Sequence, residues 1–331
     1  MAGQKKLVIG ASGFVGSHVT RQLVERGDDV RVMIRTTSST KAFDDLAVER
    51  VYGEIFDGEA LRDAMTDCDV VFYCVVDARA MLRDPAPLFR TNVEGLRHVL
   101  DAAVNADLKR FVFTSTIGTL AMRDGPPVTE DEAFNWHDKS GAYIQSRVQA
   151  EDLVLQYART KGLPAVALCI SNTFGPRDWG PTPHGSLLAA VAAGKVPFYV
   201  RGAAIEVVGI EDAARAMLLA AERGEAGERY IVSDCFVSVR DLFGIAAAAG
   251  GVEPPRIGIP LSVMYAMGYG GDVLGKLLRR DMNLTSLSVR LMHAMSRLDH
   301  SKAERELGWR PAPVRDSIRK AVAFYSELGS Q

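Results

Sequence analysis

The feature that most constrains the fold is a glycine-rich turn at residues 10–16, in which Gly10, Gly13 and Gly16 recur at every third position. The apolar run Leu7–Ile9 before the turn predicts a strand, and apolar residues at helical spacing follow from Val15. Glycine allows the backbone to turn sharply and to approach a ligand closely. The N-terminus of the helix that follows presents free N–H groups to an anion. The turn therefore predicts a phosphate-binding site.

Strand-like and helix-like segments alternate over the first two-thirds of the chain. Apolar runs predict strands at residues 30–34, 70–76, 110–115 and 164–171, with a weaker strand at 51–52. Helical periodicity predicts long helices over about 88–106 and 140–161. This alternation is typical of βαβ units, so we predict an α/β fold with a Rossmann-type doubly wound parallel sheet. The glycine turn lies on the first βα connection, where such a sheet binds dinucleotide phosphate.

The alternation of strand-like and helix-like segments becomes irregular after Ser171, and this change suggests that the chain divides into two parts there. We assign residues 1–170 to an NAD(P)-binding Rossmann domain, with a return to the sheet near 205–235. Residues 171–331 are predicted to form mostly a smaller C-terminal substrate lobe.

Candidate cofactor contacts lie in the turn and after the second strand. In the turn they are Gly10, Ser12, Gly13, Phe14, Val15 and Gly16. Arg35 ends the second strand, where an acidic residue would bind the ribose hydroxyl of NAD and an Arg suits the 2′-phosphate of NADP. We therefore predict NADP as cofactor, with NAD as the alternative.

A second group of residues could move a proton to or from a carbinol oxygen. Tyr143 and Arg147 are four residues apart on a predicted helix and share one face. Thr114, Ser115 and Thr116 end a predicted strand and offer hydroxyl groups at the carboxyl edge of the sheet. A Tyr at helical spacing can equally be a packing residue.

Several stretches together resemble a known family. They are residues 8–16, 92–95 and 110–115, Tyr143, and residues 175–178, 227–231 and 301–311. Over nearly its whole length the chain resembles an extended short-chain dehydrogenase/reductase of the NAD-dependent epimerase/dehydratase superfamily. Within it, the resemblance is strongest to the group of dihydroflavonol-reductase-like proteins, 3β-hydroxysteroid-dehydrogenase-like proteins and hopanoid-associated sugar epimerases.

The resemblance implies roles for individual residues. Tyr143 matches the catalytic acid/base, and Thr116, with Ser115 as the adjacent alternative, matches the residue that hydrogen-bonds the substrate oxygen. Asn172 lies where the family backbone lines the nicotinamide. The remaining cofactor contacts implied in this way are Glu54 and Ile55 near adenine, then Val75, Val76, Thr114, Tyr143 and Arg147.

Three departures from the family pattern affect the nicotinamide side. Arg147 stands where the family has Lys, Tyr73-Cys-Val-Val76 replaces His-x-Ala-Ala, and Ile170 replaces Pro. A nearby cation favours tyrosinate, so Arg147 is expected to bring the pKa of Tyr143 from ~10 toward ~8. Arg does not release its proton, so we expect slow turnover.

We predict an NADP-dependent oxidoreductase that interconverts a ketone and a secondary alcohol on a mostly apolar, ring-containing substrate. Met-rich segments at 260–267 and 287–295 suit an apolar ligand, with ordinary helix–helix core or a dimer face as the alternative, and Trp136 and Trp179 could form an aromatic wall. One alternative is a nucleotide-sugar epimerase or dehydratase with bound NAD. Another is a non-catalytic dinucleotide-binding sensor or scaffold, favoured by Arg147.

The composition of the chain limits the classes of partner that it is expected to bind. The formal charge is −2, from 39 Lys+Arg and 41 Asp+Glu, so it predicts neither nucleic acid nor an anionic membrane as partner. No run approaches the ~20 apolar residues that span a bilayer, and the histidines lack metal-ligand spacing. We expect a cytoplasmic protein with a small-molecule substrate and no metal, and a homodimer is a further expectation.

Overall fold

The computed structural model describes residues 5–293 and 295–329. Residues 1–4, 294 and 330–331, which include both ends of the predicted domains, lie outside the described residues. In the described part the strands are β1 (Lys5–Ile9), β2 (Val30–Ile34), β3 (Glu49–Tyr52), β4 (Cys68–Tyr73), β5 (Arg110–Thr116), β6 (Ala165–Ile170), β7 (Asn172–Phe174), β8 (Phe198–Val200), β9 (Ala204–Gly209), β10 (Arg229–Val232), β11 (Cys235–Ser238) and β12 (Ile257–Ile259). The α-helices are α1 (Phe14–Glu25), α2 (Gly58–Met65), α3 (Ala86–Phe89), α4 (Leu96–Val104), α5 (His137–Lys161), α6 (Pro183–Ala192), α7 (Ile210–Arg223), α8 (Val239–Ala249), α9 (Leu261–Leu278), α10 (Ser286–His293) and α11 (Val314–Leu328).

Seven strands form one parallel sheet in the order β3-β2-β1-β4-β5-β6-β10. The order reverses between β1 and β4, and an open α/β sheet binds its ligand at the carboxyl ends of the strands beside such a reversal. The predicted α/β fold with a Rossmann-type parallel sheet is confirmed. The division at residue 170 stays a prediction, although β10 does pair with β6.

Both faces of the sheet are covered by helices, which is why its strands are continuously apolar. Along β1, Leu7 and Ile9 pack into the core beneath α2, α4 and α5, and Val8 packs into the core beneath α1 and α7. Burying each such side chain contributes roughly 1.5–3 kcal/mol. These two cores hold the carboxyl edge of the sheet in place.

The remaining elements form a smaller lobe beside that edge. A three-stranded sheet, β11-β9-β7, and a strand pair, β12-β8, carry it, with α6, α8 and α11 packed around a core of their own. Helices α9 and α10 pack on each other and partly cover the pair β12-β8.

Two predicted elements have different bounds in the structure. The helix predicted over 88–106 consists of α3, a π-helical turn at Arg90–Gly95, and α4. The strand predicted to reach Val76 ends at Tyr73, so Val75 and Val76 belong to the loop after β4. In both places the chain leaves regular structure at the edge of the sheet where a ligand is expected.

Candidate functional site

The glycine turn joins β1 to α1 at the reversal point of the sheet. Gly10 has a φ of +92°, and a Cβ atom there would lie 2.9 Å from the backbone carbon of Cys74. A Cβ atom on Gly16 would lie 2.3 Å from the carbonyl oxygen of Gly10. Both positions therefore require glycine, because strand, turn and helix are packed backbone to backbone.

The N-terminus of α1 points its first N–H groups toward this edge. The residue that precedes the helix, Gly13, has no side chain to cap them. A helix N-terminus without a cap and with close backbone access fits the pyrophosphate of a dinucleotide. The residues expected to hold it are Ser12, Phe14, Val15 and the three glycines.

The side of the site that is predicted to face adenine carries an exposed cation. Arg35 directly follows β2 and is exposed, and its side chain makes no hydrogen bond or ion pair within the described ranges. Glu54 is also exposed, whereas Ile55 is partly buried and packs against Gly95 of the π-helical turn. The guanidinium of Arg35 is thus available to an anionic group.

Tyr143 and Arg147 lie on α5, just beyond a break at Gly141, whose φ is +74°. Arg147 is buried, and its Nη2 donates a hydrogen bond to the carbonyl oxygen of Thr114 at the end of β5. Its guanidinium lies 5.0 Å from the ring centre of Phe113. Its Nη1 is also buried and has no partner among the described residues. This free donor fits a hydroxyl of a bound cofactor ribose, since a buried unpaired donor is costly.

The pKa of Tyr143 is raised above its ordinary value. Burial of the phenol is the main cause, the charge of Arg147 opposes it, and the charge of Asp77 adds to it. The charge of Arg147 acts in the predicted direction, but the expected net fall in the pKa of Tyr143 is wrong, because loss of hydration outweighs the nearby cation.

The two candidate hydroxyl groups at the end of β5 have different surroundings. Ser115 donates its hydrogen to the buried carboxylate of Glu151 on α5. Thr116 accepts a hydrogen bond from the backbone N–H of Gly118 at 3.2 Å, and its own hydrogen has no acceptor in the described part of the chain. Thr116 is therefore free to donate to a substrate oxygen, and Ser115 is engaged elsewhere.

Asn92, which we had not named as a site residue, positions the loop after β4. Its Oδ1 accepts from the backbone N–H of Asp77 at 2.8 Å, and its Nδ2 donates to the carbonyl oxygen of Asp77 at 3.0 Å. The same Nδ2 lies 3.0 Å from the Ser146 hydroxyl on α5. Asn92 thus joins the loop of Val75 and Val76 to the helix of Tyr143. Residues 92–95 are among the stretches that resemble the family, and this resemblance could have identified Asn92 as a site residue.

An apolar cavity of about 430 Å³ lies in the smaller lobe. Four methionines from the two Met-rich segments line it: Met264, Met267, Met292 and Met295. The cavity adjoins the sheet edge at Asn172, whose Nδ2 lies 3.7 Å from the sulfur of Met295 and donates to the Glu206 carbonyl oxygen at 2.8 Å. Polar side chains are few in its lining and comprise His184, Lys195, Tyr199 and His293.

Neither predicted tryptophan lines this cavity. Trp136 donates from its indole N–H to the carbonyl oxygen of Leu120, and Trp179 packs edge-on against Phe324 of α11. The predicted aromatic wall therefore does not face this cavity.

Two further observations concern metals and membranes. Among residues 5–293 and 295–329, no group of three or more His, Cys, Asp or Glu side chains is placed to hold a metal ion. No helix in the same residues is long and apolar enough to cross a membrane.

Comparison with known proteins assigns the chain to a family. The model of the NAD dependent epimerase/dehydratase family matches residues 6–233, well over half of the chain. The chain belongs to this family. Its central sheet and glycine turn are those of a Rossmann-type family member, and the family supports an NAD(P)-dependent oxidoreductase.

Similar proteins include two curated relatives and one solved structure. Sterol demethylase protein B of Methylococcus capsulatus is 30% identical over 98% of both chains. The 4-hydroxy-2-methyl-3-oxo-4-farnesyl-3,4-dihydroquinoline-1-oxide ketoreductase of Stigmatella aurantiaca is 30% identical over 92% of this chain and 91% of its own. The crystal structure of gox2253 is 32% identical, with a TM-score of 0.88 over 98% of this chain and 99% of its own.

Proposed function

We propose that this family member is an NADP-dependent oxidoreductase that interconverts a ketone and a secondary alcohol on a mostly apolar, ring-containing substrate. The observation that carries the proposal is the Met-lined cavity, which meets the sheet edge where Met295 contacts Asn172. An apolar ring would enter this cavity, with its oxygen directed toward Tyr143 and Thr116.

Each residue of the site has a separate role at the substrate oxygen. Nicotinamide dinucleotide, when bound, supplies or accepts the hydride. Tyr143 donates its proton to the ketone oxygen during reduction and takes it back during oxidation. Thr116 donates a hydrogen bond to the same oxygen as negative charge develops on it. Arg147 opposes the effect of burial on the pKa of the Tyr143 phenol, and its buried, unpaired Nη1 would donate a hydrogen bond to a hydroxyl of the cofactor ribose.

The lining of the cavity favours an apolar substrate over a sugar nucleotide. A diphosphate needs several cations or N–H donors, and the lining provides one lysine, Lys195, and two histidines. Unbranched methionines adapt to irregular apolar shapes. The names of two relatives, a sterol demethylase protein and a ketoreductase of a farnesyl dihydroquinoline, agree with this substrate class.

The preference for NADP rests on Arg35. An exposed guanidinium without a partner in the described residues suits the 2′-phosphate, and Thr36 and Ser38 beside it offer hydroxyl groups.

A panel of carbonyl substrates tests the proposal. Steroid, terpenoid and flavonoid-like ketones, short aldehydes and sugar nucleotides would be offered with NADPH, and oxidation of the cofactor would be followed by absorbance. We expect turnover of apolar ring ketones. Turnover confined to sugar nucleotides with NAD retained on the protein would identify an epimerase or dehydratase. Dinucleotide binding without any turnover would support the sensor or scaffold.

A further inference from the structure

The outward face of helix α9 is apolar along its whole length. Four of its side chains are more than half exposed: Tyr269 (57%), Val273 (58%), Leu277 (76%) and Leu278 (54%). Three more are 44–45% exposed: Val263, Met267 and Leu274. A contiguous apolar patch of this kind marks an interaction site.

Glycines on the inward face explain why the large side chains point outward. A Cβ atom on Gly271 would lie 1.9 Å from the carbonyl oxygen of Leu284, and one on Gly268 would lie 2.8 Å from that of Thr285. The helix therefore docks on the segment before α10 through its smallest residues. Its bulky apolar residues stay exposed and can contact another partner.

Cations are grouped at the C-terminal end of the same helix. Lys276, Arg279 and Arg280 are exposed, and none of their side chains forms an ion pair or hydrogen bond within the described residues. The neighbouring Asp281 accepts from the backbone N–H of Arg83 at 2.9 Å. An apolar helix face that ends in unpaired cations complements a bilayer with anionic headgroups.

The apolar face is continuous with the cavity. Leu261, Met264 and Met267 of α9 all line the cavity, and Met267 is also part of the exposed face. An apolar molecule in the bilayer would therefore meet the cavity lining without first crossing water.

We infer that α9 lies in the headgroup region of an anionic bilayer and that the cavity takes its substrate from that bilayer; the second statement rests on the proposed function. The negative overall charge does not prevent this, because the attraction acts locally, within a Debye length of about 8–10 Å. A second copy of the chain fits less well. One 18-residue helix offers a strip about 27 Å long, which is narrow for the roughly 800 Å² that each partner of a stable dimer buries.

Vesicle binding tests the inference without cofactor or substrate. The protein would be floated with vesicles of phosphatidylcholine alone or mixed with phosphatidylglycerol. We expect binding to the anionic vesicles that weakens with salt and is weaker on neutral ones. The double variant Val273→Gln with Leu277→Gln, and the triple variant with Lys276, Arg279 and Arg280 each changed to Gln, should each weaken binding about tenfold or more.

Control variants distinguish binding through this surface from nonspecific binding to vesicles. Val104→Gln removes an exposed apolar side chain on α4, and a triple variant of the exposed cations Lys109, Arg256 and Arg305 to Gln removes the same charge. Both should bind vesicles like the wild type, and thermal unfolding would verify that all variants fold.

Two results would overturn the inference. One is a wild-type protein that does not bind anionic vesicles, or a set of variants that all bind them as well as the wild type does. The other is a dimer, detected by light scattering, that Leu277→Gln dissociates, since a second copy would then cover the face. Turnover of a water-soluble ring ketone without vesicles reports on the proposed function alone, so its failure is distinguishable from a failure to bind vesicles.

Discussion

Ser115 donates its hydroxyl hydrogen to Glu151, a buried carboxylate one turn of α5 beyond Arg147. The Glu151 carboxylate also accepts from the Thr119 hydroxyl at 2.9 Å and forms an ion pair with Arg229 at 2.9 Å. This network joins β5 to α5 beneath the proposed reaction site. Ser115 is therefore a residue of the scaffold, and its neighbour Thr116 is the proposed contact of the substrate oxygen.

Alanine substitutions at these two adjacent positions should affect different properties, kcat at Thr116 and stability at Ser115. Thr116→Ala should lower kcat by about 100-fold, because it removes a donor aimed at the developing charge. Ser115→Ala should leave kcat within a few-fold and lower the free energy of unfolding by about 1–3 kcal/mol. Steady-state kinetics and urea unfolding of both variants measure this. Equal losses of kcat would show that the assignment of Thr116 is wrong.

Gly16 should tolerate no side chain. Gly16→Ala places a Cβ atom 2.3 Å from the Gly10 carbonyl oxygen, so the turn must move away from its close packing. We expect dinucleotide affinity, measured by calorimetry, to fall about tenfold or more, equivalent to roughly 1.4 kcal/mol. Gly244→Ala is the matched control, because its Cβ would meet no atom within 4 Å. It lies within α8 and should raise the free energy of unfolding by about 0.5–1 kcal/mol. Unchanged affinity in Gly16→Ala would argue against the turn as the phosphate site.

Much of the fold could be predicted from local patterns, and the reason is visible in β1. Leu7, Val8 and Ile9 are all apolar because helices cover both faces of the sheet, and the glycines after them permit a tight turn that has no room for a side chain. Such features depend on neighbours in sequence, so periodicity and residue type predict them.

The site was harder to predict because its geometry depends on distant residues. Ser115 and Thr116 cannot be distinguished by sequence, since the partner of Ser115 lies 36 positions away on α5. The role of Asn92 depends on a contact with a loop 15 positions earlier. The pKa of Tyr143 depends on burial as well as on Arg147, and burial cannot be judged from helical spacing alone.

Arg35 should determine the choice between cofactors. Arg35→Asp removes a proposed contact with the 2′-phosphate and adds a carboxylate that can accept from the ribose hydroxyl of NAD. A charge-assisted contact contributes on the order of 1.5–3 kcal/mol, so NADP affinity should fall roughly tenfold or more. Titration of NADP and NAD against both proteins measures the shift. Equal affinity of the wild type for the two cofactors would contradict the preference.

His18 should make the fold sensitive to acid. Burial lowers the pKa of His18 to about 4, against a weaker opposing hydrogen-bond contact between its Nε2 and the Pro176 carbonyl oxygen at 3.0 Å. The unfolded chain has an ordinary His pKa near 6.5 and takes up the proton first. Stability from this group is therefore present above about pH 6.5 and is lost as pH falls toward 4, by up to about 3 kcal/mol.

The variant His18→Gln isolates this contribution. An amide can still donate to the Pro176 carbonyl oxygen but does not titrate. Between pH 7 and pH 5, the free energy of unfolding from urea titration should fall about 2 kcal/mol less in the variant than in the wild type. Other groups titrate in both proteins and cancel in the comparison. An identical fall in both would show that His18 does not carry the effect.

Arg147 gives the most direct test of the proposed chemistry. Its Nη2 is bound to the Thr114 carbonyl oxygen and its charge opposes the rise in the pKa of Tyr143 that burial causes. Arg147→Met keeps a side chain of similar length but removes the charge. The pKa of Tyr143 should then rise further, so the pH at which alcohol oxidation becomes fast should move upward, and kcat at neutral pH should fall.

Arg147→Lys restores a charge that can also release a proton. We expect this variant to turn over faster than the wild type, because the Lys ammonium can pass the proton onward and Arg does not. The pH profile of kcat/KM for wild type, Arg147→Met and Arg147→Lys separates charge from packing, since a purely structural role would change stability without moving the profile. An inactive Arg147→Lys beside an active wild type would mean that the site is built around the guanidinium, and our assignment of Arg147 as a replacement for Lys would be wrong.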